Sequence, residues 1–128
     1  MAGQAEASVH LGTGFRVDGT AREFAIVADV PASIGGTDAA PTPEELLADA
    51  LGACTAMTIA MYARRKGWDL QSCDVKVVLS EGQFARTIRV GGVLDDEQVA
   101  RLLEIADKCP VHRIVTQPTP IVSTIARG

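Results

Sequence analysis

Hydrophobic and polar residues alternate in several stretches of the chain, and this alternation predicts β-strands. Residues 8–30 alternate around the turn signal Asp18-Gly19, which predicts a β-hairpin. A second pair of alternating strands is predicted between residues 74 and 90. The last apolar run, residues 120–126, predicts a final strand.

A long apolar segment in the middle of the chain predicts a helix. Thr42 as N-cap, Pro43 at the first helical position and Glu45 in a capping box predict its start, and Gly67, after three basic residues, predicts its end. The helix would contain about 24 residues and measure roughly 36 Å. Residues 50–61 carry no charge and are apolar on nearly every face. We expect such a helix to be buried on every side.

A membrane-spanning helix is the first alternative for this segment. Asp49 interrupts the apolar stretch of residues 46–62, which is shorter than the roughly 20 residues that a span needs. A chain of 128 residues has little else to cover so long an apolar cylinder, so we expect a homo-oligomer in which the helix packs against its copy. The other alternative is a helix covered by its own sheet alone.

Two further helical segments are predicted near the C-terminus. Asp95 and Gln98 predict the start of a second helix, and Cys109 as N-cap before Pro110 predicts a further helical turn. One face of the second helix carries its apolar residues, which are Val99, Leu102, Leu103 and Ala106. The order of strands, helix, strands, helices and strand predicts an α+β fold in one domain, residues 1–128.

Composition and charge exclude several classes of function. The net charge of -4 disfavours nucleic-acid and anionic-membrane partners, because both need a concentrated positive surface. Three cysteines are too few for a disulfide scaffold, and an odd number suits a reducing compartment. The first residues show no secretory signal, so we expect a cytoplasmic protein.

The cysteines are the candidate reactive groups. Cys54 has small neighbours in the predicted long helix, and Cys109 lies at a predicted helix N-terminus, where the helix dipole favours a thiolate. Cys73 fits a buried apolar position. The Cys109-x-x-His112 spacing leaves zinc binding as an alternative, but the sequence contains no second matched pair, so we expect no metal.

Three segments carry a family resemblance, namely GGTDAAPTPEELLADALGACTAMT, ARRKGWDL and IADKCPVHRIV. With them, nearly the whole chain resembles the OsmC/Ohr family of osmotically inducible and organic hydroperoxide resistance proteins, and more closely its OsmC-like branch. The resemblance implies the OsmC-like α+β fold. It also implies an intertwined homodimer whose long central helices are buried and wrapped by mainly antiparallel sheets.

The resemblance further implies a cofactor-free thiol peroxidase. Cys54 would be the peroxidatic cysteine that reduces organic hydroperoxides, and hydrogen peroxide less well, while Cys109 would be the resolving cysteine that closes a reversible disulfide. A dithiol donor would then reduce this disulfide. Glu44 would orient an arginine against the reactive sulfur. The alternative is a non-enzymatic, stress-induced dimer that binds a small apolar ligand.

The implied glutamate and arginine raise two geometric questions. Glu44 and Cys54 would lie about 15 Å apart along one continuous helix. Either Glu44 comes from a partner subunit, giving composite active sites, or the helix breaks between them. The positions best aligned with the family's arginine, residues 11–14, contain none, so Arg16 is the first candidate and Arg22 the second.

Overall fold

The computed structural model describes residues 3–128, which contain five strands and three α-helices. Residues 1 and 2 lie outside the described residues. The prediction that the N-terminus carries no secretory signal falls partly on these two residues. The elements are β1 Ser8–Leu11, β2 Val17–Ala21, β3 Phe24–Ala28, α1 Pro43–Lys66, β4 Asp69–Ser80, β5 Gln83–Val93, α2 Asp96–Ala106 and α3 Pro110–Val115.

The chain divides into two compact units. The first contains the residues up to Ala50 together with Val77–Ala85, and the second contains Leu51–Lys76 and Arg86–Gly128. In the first unit, β1, β2 and β3 form an antiparallel three-stranded sheet in that order. The prediction of one domain over residues 1–128 stays a prediction.

The prediction of a hairpin turn at Asp18-Gly19 is wrong. Gly19 lies in the middle of β2, where it pairs with Val9 on one side and Ile26 on the other. A Cβ atom on Gly19 would lie 2.9 Å from the carbonyl oxygen of Ile26. The glycine therefore allows a close approach between strands, and β2 turns into β3 at Arg22, whose φ is +55°.

The predicted start and end of α1 are confirmed. The Thr42 hydroxyl accepts a 3.1 Å hydrogen bond from the Glu45 amide, and the Glu45 carboxylate accepts one of 2.9 Å from the Thr42 amide. This pair is the capping box predicted from the sequence. The helix Pro43–Lys66 is continuous over 24 residues, and Gly67 follows it with a φ of +70°.

The predicted burial of α1 on every side is not met within this one chain. Met57 and Met61 are 52% and 55% exposed, while Cys54 and Ile59 are buried. By length and composition alone the helix could cross a membrane, a test that the core helix of a soluble protein also passes.

Strands β4 and β5 form a two-stranded sheet and are longer than predicted. Glu81 and Gly82 connect them with φ angles of +51° and +74°, the conformation of a tight two-residue hairpin. At the base of this hairpin, in the second unit, Ile88 and Val90 pack against the core. That core combines α1 and α2 through Ile59, Tyr62, Ala63, Leu102, Ile105 and Ala106.

The predicted buried face of α2 is only partly correct. Leu102 and Ala106 are buried, but Val99 and Leu103 are 42% and 62% exposed. The contacts of α2 with the core follow Leu102, Ile105 and Ala106, which are spaced three and four residues apart. The helix is therefore rotated from the face that the apolar pattern predicted.

The strand predicted over residues 120–126 is absent. The segment has no regular secondary structure, and Ile121, Val122 and Ile125 are 88%, 94% and 99% exposed. A strand requires a hydrogen-bonded neighbour, and no strand of the described chain pairs with this segment.

Candidate active site

The structure brings Cys54 and Cys109 into contact within the second unit. Cys54 lies on α1 and is 3% exposed, and Cys109 precedes α3 and is fully buried. Both are thiols that are not joined by a disulfide, and the Cys109 side chain lies close enough to Cys54 to raise the pKa of its thiol. Two buried thiols that interact directly are candidates for a reversible disulfide.

The first turn of α3 provides a backbone hydrogen bond to each sulfur. Cys109 is the N-cap of α3, as predicted, and its Sγ accepts a 3.2 Å hydrogen bond from the amide of His112. The amide of Val111 donates to Cys54. Because these amides have no partner inside the helix, they are free to stabilise sulfur. The start of α3 thus fixes both thiols.

The pKa of the Cys54 thiol is raised above its ordinary value, chiefly because the thiol is buried. The hydrogen bond from Val111 opposes this effect, the neighbouring Cys109 thiol raises the pKa further, and the Thr58 hydroxyl lowers it. In this one chain, therefore, the environment of Cys54 favours the neutral thiol. A peroxidatic cysteine reacts as the thiolate, so activation would need an additional cation.

Arg86 and Thr55 form a polar cluster beside Cys109 that the sequence analysis did not identify. Arg86 Nη1 donates to Thr55 Oγ1 at 3.1 Å and to the carbonyl oxygen of Ala106 at 3.4 Å, while Nη2 donates to Asp107 at 2.9 Å. The Arg86 side chain is only 12% exposed. Thr55 Oγ1 lies 4.0 Å from Cys109 Sγ.

The alternation of exposed and less exposed positions along β5 could have identified Arg86 as an inward-facing residue. Phe84, Arg86, Ile88 and Val90 are the less exposed positions, and the residues between them are exposed. An arginine on the apolar phase of a strand must find polar partners inside. Arg86 lies far along the chain from Arg16 and Arg22, the arginines predicted as candidates.

Arg16 and Glu44 belong to the first unit, whereas both thiols belong to the second. Arg16 forms a 3.2 Å ion pair with Asp18, with both side chains substantially exposed. Glu44 is exposed in the first turn of α1. Because α1 is unbroken, the alternative in which a break brings Glu44 towards Cys54 is excluded.

The other sequence candidates have separate surroundings. Arg22 lies over the ring of Phe24, 4.9 Å from its centroid. Cys73 packs against the hydrophobic core, in agreement with an apolar role, and burial raises its thiol pKa. Within residues 3–128, no group of three or more His, Cys, Asp or Glu side chains could hold a metal ion.

The fold and the paired thiols define a small α+β protein in which two cysteines, distant in sequence, share one buried site. The model of the OsmC-like protein family matches residues 36–124, which is more than half of the chain. The chain therefore belongs to the OsmC-like family, and both the family resemblance and the α+β fold that it implied are confirmed. No curated protein sequence matches the chain.

Solved structures show the same fold. An OsmC-like protein from Mycoplasma pneumoniae is 16% identical, with 92% of this chain and 91% of that chain covered and a TM-score of 0.76. An organic hydroperoxide resistance protein OsmC from Legionella pneumophila is 22% identical, with 88% of each chain covered and a TM-score of 0.62.

A third structure comes from Vibrio cholerae and is named for organic hydroperoxide resistance. It is 25% identical, with 90% of this chain and 85% of that chain covered and a TM-score of 0.66, and captopril is bound in one of its active sites. The homodimer implied by the family resemblance stays a prediction, because the structure contains one chain.

Proposed function

We propose that this protein is a thiol peroxidase that reduces organic hydroperoxides, and hydrogen peroxide less well. Membership of the OsmC-like family and the names of the Legionella and Vibrio structures support a redox role in stress resistance. The observation that carries the proposal is the contact between the buried thiols of Cys54 and Cys109.

The proposed reaction needs no cofactor. The Cys54 sulfur attacks the hydroperoxide, the O–O bond breaks, and the products are a sulfenic acid on Cys54 and an alcohol. The Cys109 thiol then attacks the Cys54 sulfur, and the S–O bond breaks. Hydroxide leaves as water with the thiol proton, and the disulfide forms. A dithiol donor, available in a reducing compartment such as the cytoplasm, returns both thiols.

We further propose that the active site is composite and that a second copy supplies Glu44 and Arg16. The raised pKa of Cys54 supports this view, because a nearby guanidinium would stabilise the thiolate. The unbroken α1 helix also supports it, since Glu44 cannot reach the Cys54 of its own helix. The exposed Met57 and Met61 provide apolar surface on α1 for a second copy to cover.

The test is a thiol count after one equivalent of cumene hydroperoxide. We expect the reduced protein to lose two thiols, and Cys73→Ser, the matched control, to lose the same two. Cys54→Ser should consume no peroxide, and Cys109→Ser should complete one turnover and stop as a sulfenic acid.

Retention of all thiols would overturn the peroxidase proposal. It would favour the alternative of a non-enzymatic protein that binds a small apolar ligand. Loss of thiols in Cys54→Ser at the rate of the unmodified protein would show instead that Cys54 is not the peroxidatic residue.

A further inference from the structure

The hydrogen bonds around Thr55 determine where the proton of the Cys109 thiol points. The Thr55 hydroxyl has one proton, and its oxygen lies 2.7 Å from the carbonyl oxygen of Leu51, which can only accept. The Thr55 proton is therefore donated to Leu51. Arg86 can only donate, so its 3.1 Å contact uses a lone pair of the Thr55 oxygen.

The remaining contact of the Thr55 oxygen is with Cys109 Sγ at 4.0 Å. Because the Thr55 proton is already committed, Cys109 is the donor in this contact. The Cys109 sulfur also accepts from the amide of His112 at 3.2 Å. With its proton directed at Thr55, the Cys109 sulfur has a lone pair available towards Cys54.

Arg86 holds both sides of this arrangement. Its guanidinium binds the Thr55 hydroxyl and the carbonyl oxygen of Ala106 at the end of α2. The amide of Cys109 donates to the same carbonyl oxygen at 3.3 Å. One planar side chain thus ties the helix that carries Cys54 to the turn that carries Cys109, a geometry for which arginine is suited and lysine is not.

We propose that Arg86 and Thr55 are a positioning pair for the resolving cysteine, and that they act on disulfide formation rather than on the attack of the peroxide. They hold the Cys109 thiol so that its sulfur faces Cys54. The inference deepens the peroxidase function proposed above and rests on it for the sulfenic acid.

In the step concerned, Cys109 sulfur attacks the sulfur of the Cys54 sulfenic acid, the S–S bond forms and the S–O bond breaks. The Cys109 proton and the departing hydroxide form water, so no other oxidant or reductant is required. Thr55 and Arg86 are unchanged by the step, so within the catalytic cycle their effect should appear in the rate of disulfide formation.

The chain offers a matched pair of substitutions on α1. Thr55→Val removes the hydroxyl that faces Cys109, and Thr58→Val removes the hydroxyl that donates to Cys54. Each protein is mixed with cumene hydroperoxide and quenched with dimedone at increasing times. Mass spectrometry then counts the sulfenic-acid adduct and the disulfide.

We expect Thr55→Val to form the sulfenic acid at the unmodified rate and the disulfide about tenfold more slowly, which matches the loss of one hydrogen bond. Thr55→Ser, which keeps the hydroxyl, should restore the disulfide rate. Thr58→Val should slow the sulfenic acid step instead. The positioning role is wrong if Thr55→Val slows the first step as much as the second, or slows neither.

Arg86→Lys tests the other member of the pair. Lysine keeps the charge but cannot bind Thr55, Ala106 and Asp107 together. We expect the same selective slowing of disulfide formation. Asp107→Asn, which removes the exposed negative charge beside Arg86 and 3.9 Å from His112 Nδ1 but keeps the acceptor oxygen, should form the disulfide at the unmodified rate. An equal effect of both substitutions would overturn the role of Arg86, and the Thr55 variants test the pair even where Arg86→Lys does not fold.

Closure of the same disulfide by diamide separates this inference from the proposed function. Diamide takes two hydrogens from a pair of thiols and leaves a disulfide, so no hydroperoxide is needed. If the protein reduces no hydroperoxide but Thr55→Val still slows closure by diamide and Thr55→Ser restores it, the peroxidase proposal fails and the positioning role stands. If hydroperoxide is reduced and Thr55→Val closes the disulfide at the unmodified rate, the reverse holds.

Discussion

The Nη1 atom of Arg86 donates a 3.1 Å hydrogen bond to Oγ1 of Thr55, which lies 31 positions earlier in the chain. Thr55 follows Cys54 on α1, and its oxygen is 4.0 Å from the sulfur of Cys109. A nearly buried cation is therefore placed beside the thiol pair. Substitutions at Arg86 should change both the stability of the fold and the chemistry of the site.

For stability, we expect Arg86→Met to lower the free energy of unfolding by about 2–3 kcal/mol, because Thr55 and the Ala106 carbonyl lose a charged donor in a buried place. Asp107→Asn should cost less than about 1 kcal/mol, since the Asp107 side chain is 65% exposed. Urea unfolding of both variants measures the difference. Equal losses would contradict the burial argument.

The protonation of Cys54 should respond in opposite directions to two substitutions. The Thr58 hydroxyl lowers the pKa of Cys54 and the Cys109 thiol raises it. We therefore expect Thr58→Val to raise this pKa and Cys109→Ala to lower it. The pH dependence of Cys54 alkylation, followed by mass spectrometry in a Cys73→Ser background, measures both. A shift of both variants in one direction would contradict the hydrogen-bond assignment.

Composite sites predict complementation between two inactive variants. Glu44→Gln and Cys54→Ser should each be nearly inactive as homodimers. A heterodimer purified through two different tags would contain one complete site, so we expect about half of the unmodified activity. A heterodimer as inactive as its parents would place Glu44 and Cys54 of one subunit in the same site, whereas an active Glu44→Gln homodimer would remove Glu44 from the mechanism.

Asp29 should make stability depend on pH in the acid range. Its carboxylate is buried and accepts hydrogen bonds from the Thr37 hydroxyl at 2.6 Å and from the amides of Val30 and Ala39. These bonds, that from Thr37 first, lower its pKa from 3.8 to about 2. Because the pKa is lower in the folded state, the stabilisation is complete above about pH 4 and is lost as the pH falls towards 2.

We expect Asp29→Asn to lower the midpoint of thermal unfolding on the order of 5 °C near neutral pH, with a smaller difference at pH 3. Asp38→Asn is the control in the same loop, because Asp38 is exposed and asparagine suits its φ of +52°. A difference between Asp29→Asn and the unmodified protein that does not shrink with falling pH would contradict this assignment.

The single tyrosine of the chain allows a direct spectroscopic measurement. A 3.2 Å hydrogen bond from Arg101 to the Tyr62 hydroxyl is the main reason that the pKa of Tyr62 is lowered, and the charge of Lys66 adds to it. We expect ultraviolet titration to show a midpoint below the ordinary value. Arg101→Met should raise this midpoint more than Lys66→Met does, and the opposite order would show that the hydrogen bond is not the main cause.

Local patterns of residues were sufficient to predict where the helices of this chain begin. The capping pairs Thr42–Glu45 and Asp95–Gln98 are both present, each over three residues, and Cys109 caps α3 as predicted. A helix start is set by hydrogen bonds between near neighbours, so the residue types at those positions are sufficient. The paired cysteines followed from the family resemblance rather than from such local patterns.

Features that depend on distant partners became visible only in the packed fold. Gly19 marks a close approach of β2 to Ile26 rather than a turn, and residues 120–126 form no strand because none of the described strands lies beside them. Arg86 acquired its role from Thr55 and Ala106, 31 and 20 positions away. Contacts over such separations arise when packed elements bring side chains together, and the chain order alone does not specify which side chains meet.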